Sequence, residues 1–190
     1  MAMLIIPHIL SCARWCGRLR RPHLLAGLLA CLVLWVPGGI WALTYTFTTI
    51  DPPCSFYTVA WGVNNAGHIV GYVRDAKGNH GFLRSGGTFT PIDVPGESIF
   101  LTDARGINMM DQIVGYFRSG QDHGFLKTGG SFTIIDIPSS SNTWAFGIND
   151  AGVVVGSFDD GTGLHGYVRS GSSVTLIEVP GSQFTVPYGI

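Results

Sequence analysis

Acidic side chains recur at one place in this sequence, and carboxylates are groups that bind cations, bind sugar hydroxyls or transfer protons. The series consists of Asp51, Asp93, Asp136 and Glu178. Set around a common axis, these carboxylates would form an acidic ring for a cation or a sugar. Each one also precedes a proline at the end of an expected strand, where acidic oxygens ordinarily accept backbone N–H groups. Catalysis needs carboxylates in unlike environments, so the uniform setting favours a structural role.

A second series consists of His80, His123 and His165, each followed by glycine and an aromatic residue. Histidine is a common metal ligand. Ligands of one ion must lie within a few ångströms of each other, whereas equivalent positions in successive repeats are usually much farther apart. The spacing therefore favours a hydrogen bond repeated within each unit over a shared metal site.

Other residues that could do chemistry lack the required partners. The run Asp159-Asp160-Gly161 has no alternating acidic ligands of the kind a calcium loop needs. Cys54 has no histidine nearby in the sequence, and no Gly-x-Ser-x-Gly motif occurs. The sequence therefore predicts no catalytic, cofactor-binding or metal-binding residues, and a protein that is not an enzyme.

The elements that position both series belong to an internal repeat. The motif Thr-x-Ala-x-Gly-(Val/Ile)-Asn occurs at 58–64, 102–108 and 143–149, so each copy ends on an asparagine, and a partial copy runs over 185–190. The three asparagines are Asn64, Asn108 and Asn149. The position before each motif glycine varies in kind, with Trp61, Arg105 and Phe146 in the three copies. A side chain there would face either a ligand or a neighbouring repeat.

Each repeat divides into four short strands separated by turn residues, which favours β structure. Gly67, Asp111 and Gly152 occupy a turn position that needs a positive φ, and Gly86-Gly87 suits a two-residue hairpin. Strands such as 69–73 are apolar throughout, which indicates burial on both faces. Their central glycine indicates a close approach of two backbones. A further strand is expected at 46–50.

Four strands in about 42 residues are typical of a propeller blade. The sequence predicts an all-β protein of tandem four-stranded antiparallel blades, an incomplete or open β-propeller of about three and a half repeats. The repeat domain is expected at 43–190. Its full units are expected at 55–95, 96–138 and 139–180, with a partial unit at 181–190.

The first 42 residues resemble an export signal. A basic segment at 14–21 precedes 13 apolar or small residues at 24–36, a length typical of a signal-peptide core and short of the roughly 20 residues that span a bilayer. Cleavage is expected after Ala42, giving a secreted or cell-surface protein. An uncleaved N-terminal anchor is the alternative, and only then is a membrane a partner.

Charge argues against nucleic acid as a partner. Four of the 11 basic residues precede residue 43, while all 12 acidic residues follow it. An acidic repeat domain repels phosphates and offers no basic stripe to a nucleic-acid backbone.

The ordered anchors Gly-Ile-Asn, Ile-Val-Gly, His-Gly-Phe-Leu and Phe-Thr-x-Ile-Asp-x-Pro-Gly resemble the bacterial HAF-type extracellular repeats over roughly residues 45–190. This chain has glycine where the family signature has alanine. The resemblance implies secretion and supplies no activity.

Two functions are consistent with these observations. The favoured one is a non-enzymatic extracellular scaffold or binding module of unknown partner. The alternative is a glycan-active enzyme or lectin-like module that uses the repeated Asp/Glu positions. Uncapped apolar ends predict that the repeat domain either self-associates or is poorly stable as a monomer.

Overall fold

The computed structural model describes residues 44–96 and 101–190, and the chain divides into two units, Met1–Cys54 and Ser55–Ile190. The predicted signal segment lies outside the described residues. In the first unit, residues 44–54 form neither helix nor strand. The prediction of a strand at 46–50 is therefore wrong.

The second unit is all-β, as the repeat pattern predicts. In chain order its strands are β1 (Tyr57–Val63), β2 (Ile69–Arg74), β3 (Asn79–Ser85), β4 (Thr88–Ile92), β5 (Leu101–Ile107), β6 (Ile113–Ser119), β7 (Gln121–Thr128), β8 (Ser131–Ile135), β9 (Asn142–Ile148), β10 (Val154–Asp159), β11 (Leu164–Ser170) and β12 (Ser173–Ile177). No helix able to cross a bilayer occurs in the described ranges.

The strands form three successive antiparallel meanders, β1–β4, β5–β8 and β9–β12, here called the first, second and third repeats. A single parallel pair, Asn79 with Leu101, joins the first two repeats into one eight-stranded sheet. The third repeat forms a four-stranded sheet of its own. The first strand of each following repeat packs on the two central strands of the repeat before it.

The turn after each first strand has the predicted geometry. Gly67 and Gly152 have φ values of 76° and 75°, and Asp111 at the same position has a φ of 55°. Aspartate tolerates this left-handed region better than most residues. The prediction that Asp111 replaces the turn glycine is confirmed.

A β-bulge lies in the first strand of each repeat, opposite the glycine of the Ile/Val-Val-Gly segment. Pairing skips one residue in each case, and the skipped residues are Trp61, Arg105 and Phe146. A Cβ added at Gly115 would lie 2.0 Å from the Asp103 carbonyl oxygen. The close backbone approach predicted for this glycine is confirmed. It explains why all three repeats have glycine at this position, whereas the residue at the bulge differs from repeat to repeat.

The hydrophobic cores lie between repeats. The first core joins the first and second repeats through Val70, Ile92, Val94, Ala104, Ile107, Ile113, Phe117 and Phe125. The second core joins the second and third repeats through the matching residues Val114, Ile135, Ile137, Ala145, Ile148, Val154, Phe158 and Tyr167. Each repeat is thin, so it buries its apolar residues against its neighbour.

Candidate functional site

The signature asparagines connect one repeat to the next. The Asn64 side-chain amide donates to the Asn108 carbonyl oxygen at 3.0 Å, and the Asn108 amide donates to the Asn149 carbonyl oxygen at 3.0 Å. The Oδ1 atom of each asparagine accepts N–H groups from its own turn, as from His68 in the first repeat. One side chain therefore closes a turn and links two repeats, a role that buried amides perform well because all their groups are satisfied.

The histidine and acidic series meet within each repeat. The Nδ1 atoms of His80 and His123 lie 3.0 Å from the Oδ1 atoms of Asp93 and Asp136. In the third repeat, His165 Nδ1 lies 3.2 Å from Glu178 Oε1. The acids thus face an imidazole of their own repeat, where the sequence suggested backbone N–H groups. The remaining member, Asp51, lies in the other unit of the chain.

These pairs differ in their further neighbours. His80 Nε2 lies 3.4 Å from Asp75, and the hydrogen bond with Asp93 raises the pKa of His80 against the effect of burial. His123 stacks on Phe117 with 5.2 Å between ring centroids. The three pairs do not converge, and within the described ranges no three His, Cys, Asp or Glu side chains form a group that could hold a metal ion.

A different set of side chains does converge across repeats, and it consists of the bulge residues. The Arg105 guanidinium carbon lies 3.9 Å from the Trp61 ring centroid and 5.7 Å from that of Phe146. Tyr188, at the same place in the partial fourth copy, lies 5.4 Å from Phe146 between ring centroids. We call Trp61, Arg105, Phe146 and Tyr188 the stacked column. Its guanidinium gains cation–π attraction from the flanking rings.

A buried carboxylate fixes the cation of the stacked column. Asp103 Oδ2 accepts a hydrogen bond from Arg105 Nε at 2.9 Å, and Arg105 also donates to the Tyr116 hydroxyl at 3.4 Å. Burial raises the pKa of Asp103 to about 6, and the charge of Arg105 opposes that rise. Hydrogen bonding by Tyr116 and Trp61 also opposes the rise in the pKa of Asp103. Asp103 Oδ1 is buried, so the carboxylate acts on Arg105 from inside the protein.

The stacked column is partly open to solvent. Trp61 is 48% exposed and Tyr188 is 71% exposed, while Arg105 and Phe146 between them are only half-buried. Exposed aromatic rings next to fixed polar groups are typical of recognition surfaces. The column can therefore stack against an apolar face and donate or accept hydrogen bonds beside it.

The ends of the first strands enclose a shallow cavity of about 220 Å³. Its lining comes from matching positions of successive copies and includes Val63, Asn64, Ile107, Asn108, Ile148, Asn149 and Ile190. The asparagines of this lining already bond each other, so the cavity offers a ligand fewer free polar groups than the stacked column does.

The sequence singled out the first three positions of the stacked column without choosing between a ligand and a neighbouring repeat as their contact. They contact one another across repeats and also reach solvent. The missed members of the site are Asp103, Tyr116 and Tyr188. Aligning the repeats indicates two of these residues. Tyr188 falls at the bulge position of the partial copy, and Asp103 lies two residues before Arg105.

Comparison with protein-family models gives no match, and comparison with curated proteins finds no similar chain.

Proposed function

We propose that this chain is an exported, non-enzymatic binding module of the HAF-type extracellular repeat class, built as an open, propeller-like array of blades. The stacked column carries the proposal. It places a variable, partly exposed side chain from each of four successive copies in one continuous row. Repeat arrays use such rows to bind extended partners.

An extended neutral glycan fits this row best. The C–H faces of sugar rings are apolar and pack on aromatic rings, while their hydroxyls bond polar groups at the edge of the row. The one cation in the row is already paired with Asp103 at 2.9 Å, so an acidic sugar gains little from it. Trp61 and Tyr188, the most exposed members, are the contacts expected to matter most.

The pairing of the acidic series favours binding over glycoside cleavage at those positions. Asp93, Asp136 and Glu178 each face a histidine of their own repeat at 3.0 to 3.2 Å. Glycoside hydrolysis requires two carboxylates with different roles on either side of one bond, and each repeat presents one acid of the series. This supports a structural role for the series and leaves recognition to the stacked column.

A glycan array of neutral and acidic oligosaccharides, probed with the full chain, tests the proposal. We expect binding to at least one neutral oligosaccharide. Trp61→Ala and Tyr188→Ala should each weaken it at least about tenfold, equivalent to about 1.4 kcal/mol, with circular dichroism verifying that each variant is folded. Ile134→Ala, at a 53% exposed position outside the column, should bind normally. Release of reducing ends from any glycan, or equal loss in all three variants, would contradict the proposal.

A further inference from the structure

The outer side of the first repeat exposes apolar residues that the later repeats bury. Val63 is 67% exposed, whereas Ile107 and Ile148 at the same position are each 8% exposed. Ile69 is half-buried, while its counterpart Ile113 is 1% exposed. The later residues are covered by the repeat before them, and the first repeat lacks such a neighbour among the described residues.

The third repeat shows the complementary exposure on its opposite side. Val179 is 58% exposed, whereas Val94 and Ile137 at the same position are each 8% exposed. Leu176, on β12, is 52% exposed. These residues lie where the first and second repeats receive their following neighbour.

The two internal cores show what each exposed position packs against. Val94 and Ile107 belong to one core, and Ile137 and Ile148 belong to the other. By the same pairing, Val179 is the partner that Val63 lacks. We infer that a second copy of this chain binds head to tail, with its third repeat covering the β1 side of the first repeat.

The asparagine links fix the same direction. Side-chain amides donate from Asn64 to the carbonyl of Asn108, and from Asn108 to that of Asn149. No corresponding acceptor for Asn149 lies among the described residues. In a head-to-tail pair, Asn149 of one copy donates to the Asn64 carbonyl of the next. An arrangement with two β1 strands face to face lacks this bond.

One segment of the chain now occupies the place that β1 of the second copy needs. Thr185 donates its N–H to the Leu164 carbonyl at 2.8 Å, and Phe184 forms a parallel bridge with Leu164. This matches the bridge between Asn79 and Leu101 in the first repeat. Residues 184–190 must therefore leave before the second copy docks, and they compete with it.

The consequence is an open chain of copies. A head-to-tail contact does not use the same patch twice, so it adds copies without closing on itself unless the rotation happens to close a ring. Trp61 of the next copy then takes the place of Tyr188 beside Phe146, so the stacked column continues into the next copy. Tyr188 contributes to the proposed glycan surface only in a copy whose third repeat is not docked.

Cross-linking with a short bismaleimide tests this directly in the full chain with its four cysteines changed to serine. The variants carry Val63→Cys, Val179→Cys or, as a control at another exposed position, Ile134→Cys. Circular dichroism verifies that each variant is folded. We expect covalent dimers when Val63→Cys and Val179→Cys chains are mixed, and only background when Val63→Cys is used alone or mixed with Ile134→Cys.

Removing residues 184–190 from both partners should raise the cross-linked fraction several-fold, because the competing segment is gone. Equal cross-linking with the Ile134→Cys control would overturn the inference. So would dimers formed by Val63→Cys alone, which indicate a face-to-face contact, or a cross-linked fraction unchanged by the truncation. None of these outcomes depends on glycan binding.

Discussion

The interface between the first and second repeats and the interface between the second and third share their backbone geometry, their core and an asparagine link, but they differ in their charged contacts. At the first interface, Arg105 stacks on Trp61 and pairs with buried Asp103. At the second, the Trp144 indole donates to Asp122 at 2.9 Å, and Asp122 also pairs with Arg118.

This difference separates two kinds of position. Core residues and asparagines recur at both interfaces and hold the repeats together. Bulge residues and their neighbours differ between interfaces without disturbing the backbone, because the bulge lets them project away from the paired strand. Variable positions are therefore available for recognition.

The largest expected effect distinguishes the two polar networks. Arg105→Ala leaves Asp103 buried without its cation, and breaking such a pair costs about 3–5 kcal/mol. Adding Asp103→Asn should recover much of that loss, since no buried charge then remains. Urea unfolding of both variants measures this coupling, and additive losses would show that the first interface does not depend on the pair.

The next largest effect is expected in the pH dependence of stability, to which Asp103 contributes at the first interface. The folded-state pKa of Asp103 is raised to about 6 from an ordinary value of 3.8. The contribution of Asp103 to the unfolding free energy is therefore fully present below pH 3.8 and is lost as the pH rises through about 6. The unfolding free energy falls by no more than about 1.4 kcal/mol per pH unit across this window.

Asp103→Asn should flatten the stability curve across that window, as measured by urea unfolding at a series of pH values. Asp122→Asn, at the second interface, is the matched comparison. A curve that keeps its slope in the Asp103→Asn variant would assign that slope to other groups.

Much of the repeat could be predicted from sequence because its determinants are local. The turn at Asp111 could be predicted because glycine and aspartate tolerate the positive φ that this turn position requires. The buried strands could be predicted from apolar runs bounded by glycine. The contact of His80 with Asp93 could not be predicted in the same way, because it depends on how β3 and β4 are paired.

The stacked column was still less accessible to sequence reasoning. Arg105 meets Trp61, which lies 44 residues earlier, and that contact depends on how two repeats pack. A repeat pattern shows that two positions are equivalent, but not how far apart packing places them. The cores between repeats supply that distance.

Changes at the signature asparagines should have effects of intermediate size on stability. Asn108→Ala removes a bond to the next repeat, a bond to the Gln112 side chain and two turn bonds from a buried site, so we expect a loss of about 1–3 kcal/mol in unfolding free energy. Asn149→Ala removes a turn bond to Val153 without a described bond to a further repeat. Thermal unfolding should therefore show the larger loss of stability for Asn108→Ala. Equal losses in the two variants would show that the asparagine stabilises only its own turn and not the contact between repeats.

The smallest effect is expected where the repeats are most alike. Asp93→Asn breaks a partly exposed pair worth about 0.2–1 kcal/mol. Because the folded-state pKa of His80 is raised above 6.5, this contribution is present below pH 6.5 and is lost as the pH rises through the folded pKa. The cost of Asp93→Asn, measured by urea unfolding, should be largest below pH 6.5 and should shrink as the pH rises through the folded pKa of His80. A cost that persists at the higher pH would point to another contact of Asp93.

Cores between repeats, rather than within them, hold this fold together. Native-state hydrogen exchange of Ile92→Val, a mild change in the first core, is the sharpest test. We expect faster exchange in β2 and β3 and also in β5 and β6, with β10 and β11 least affected. Faster exchange confined to β4, which carries Ile92, and its partner strand β3 would show instead that each repeat is held together on its own.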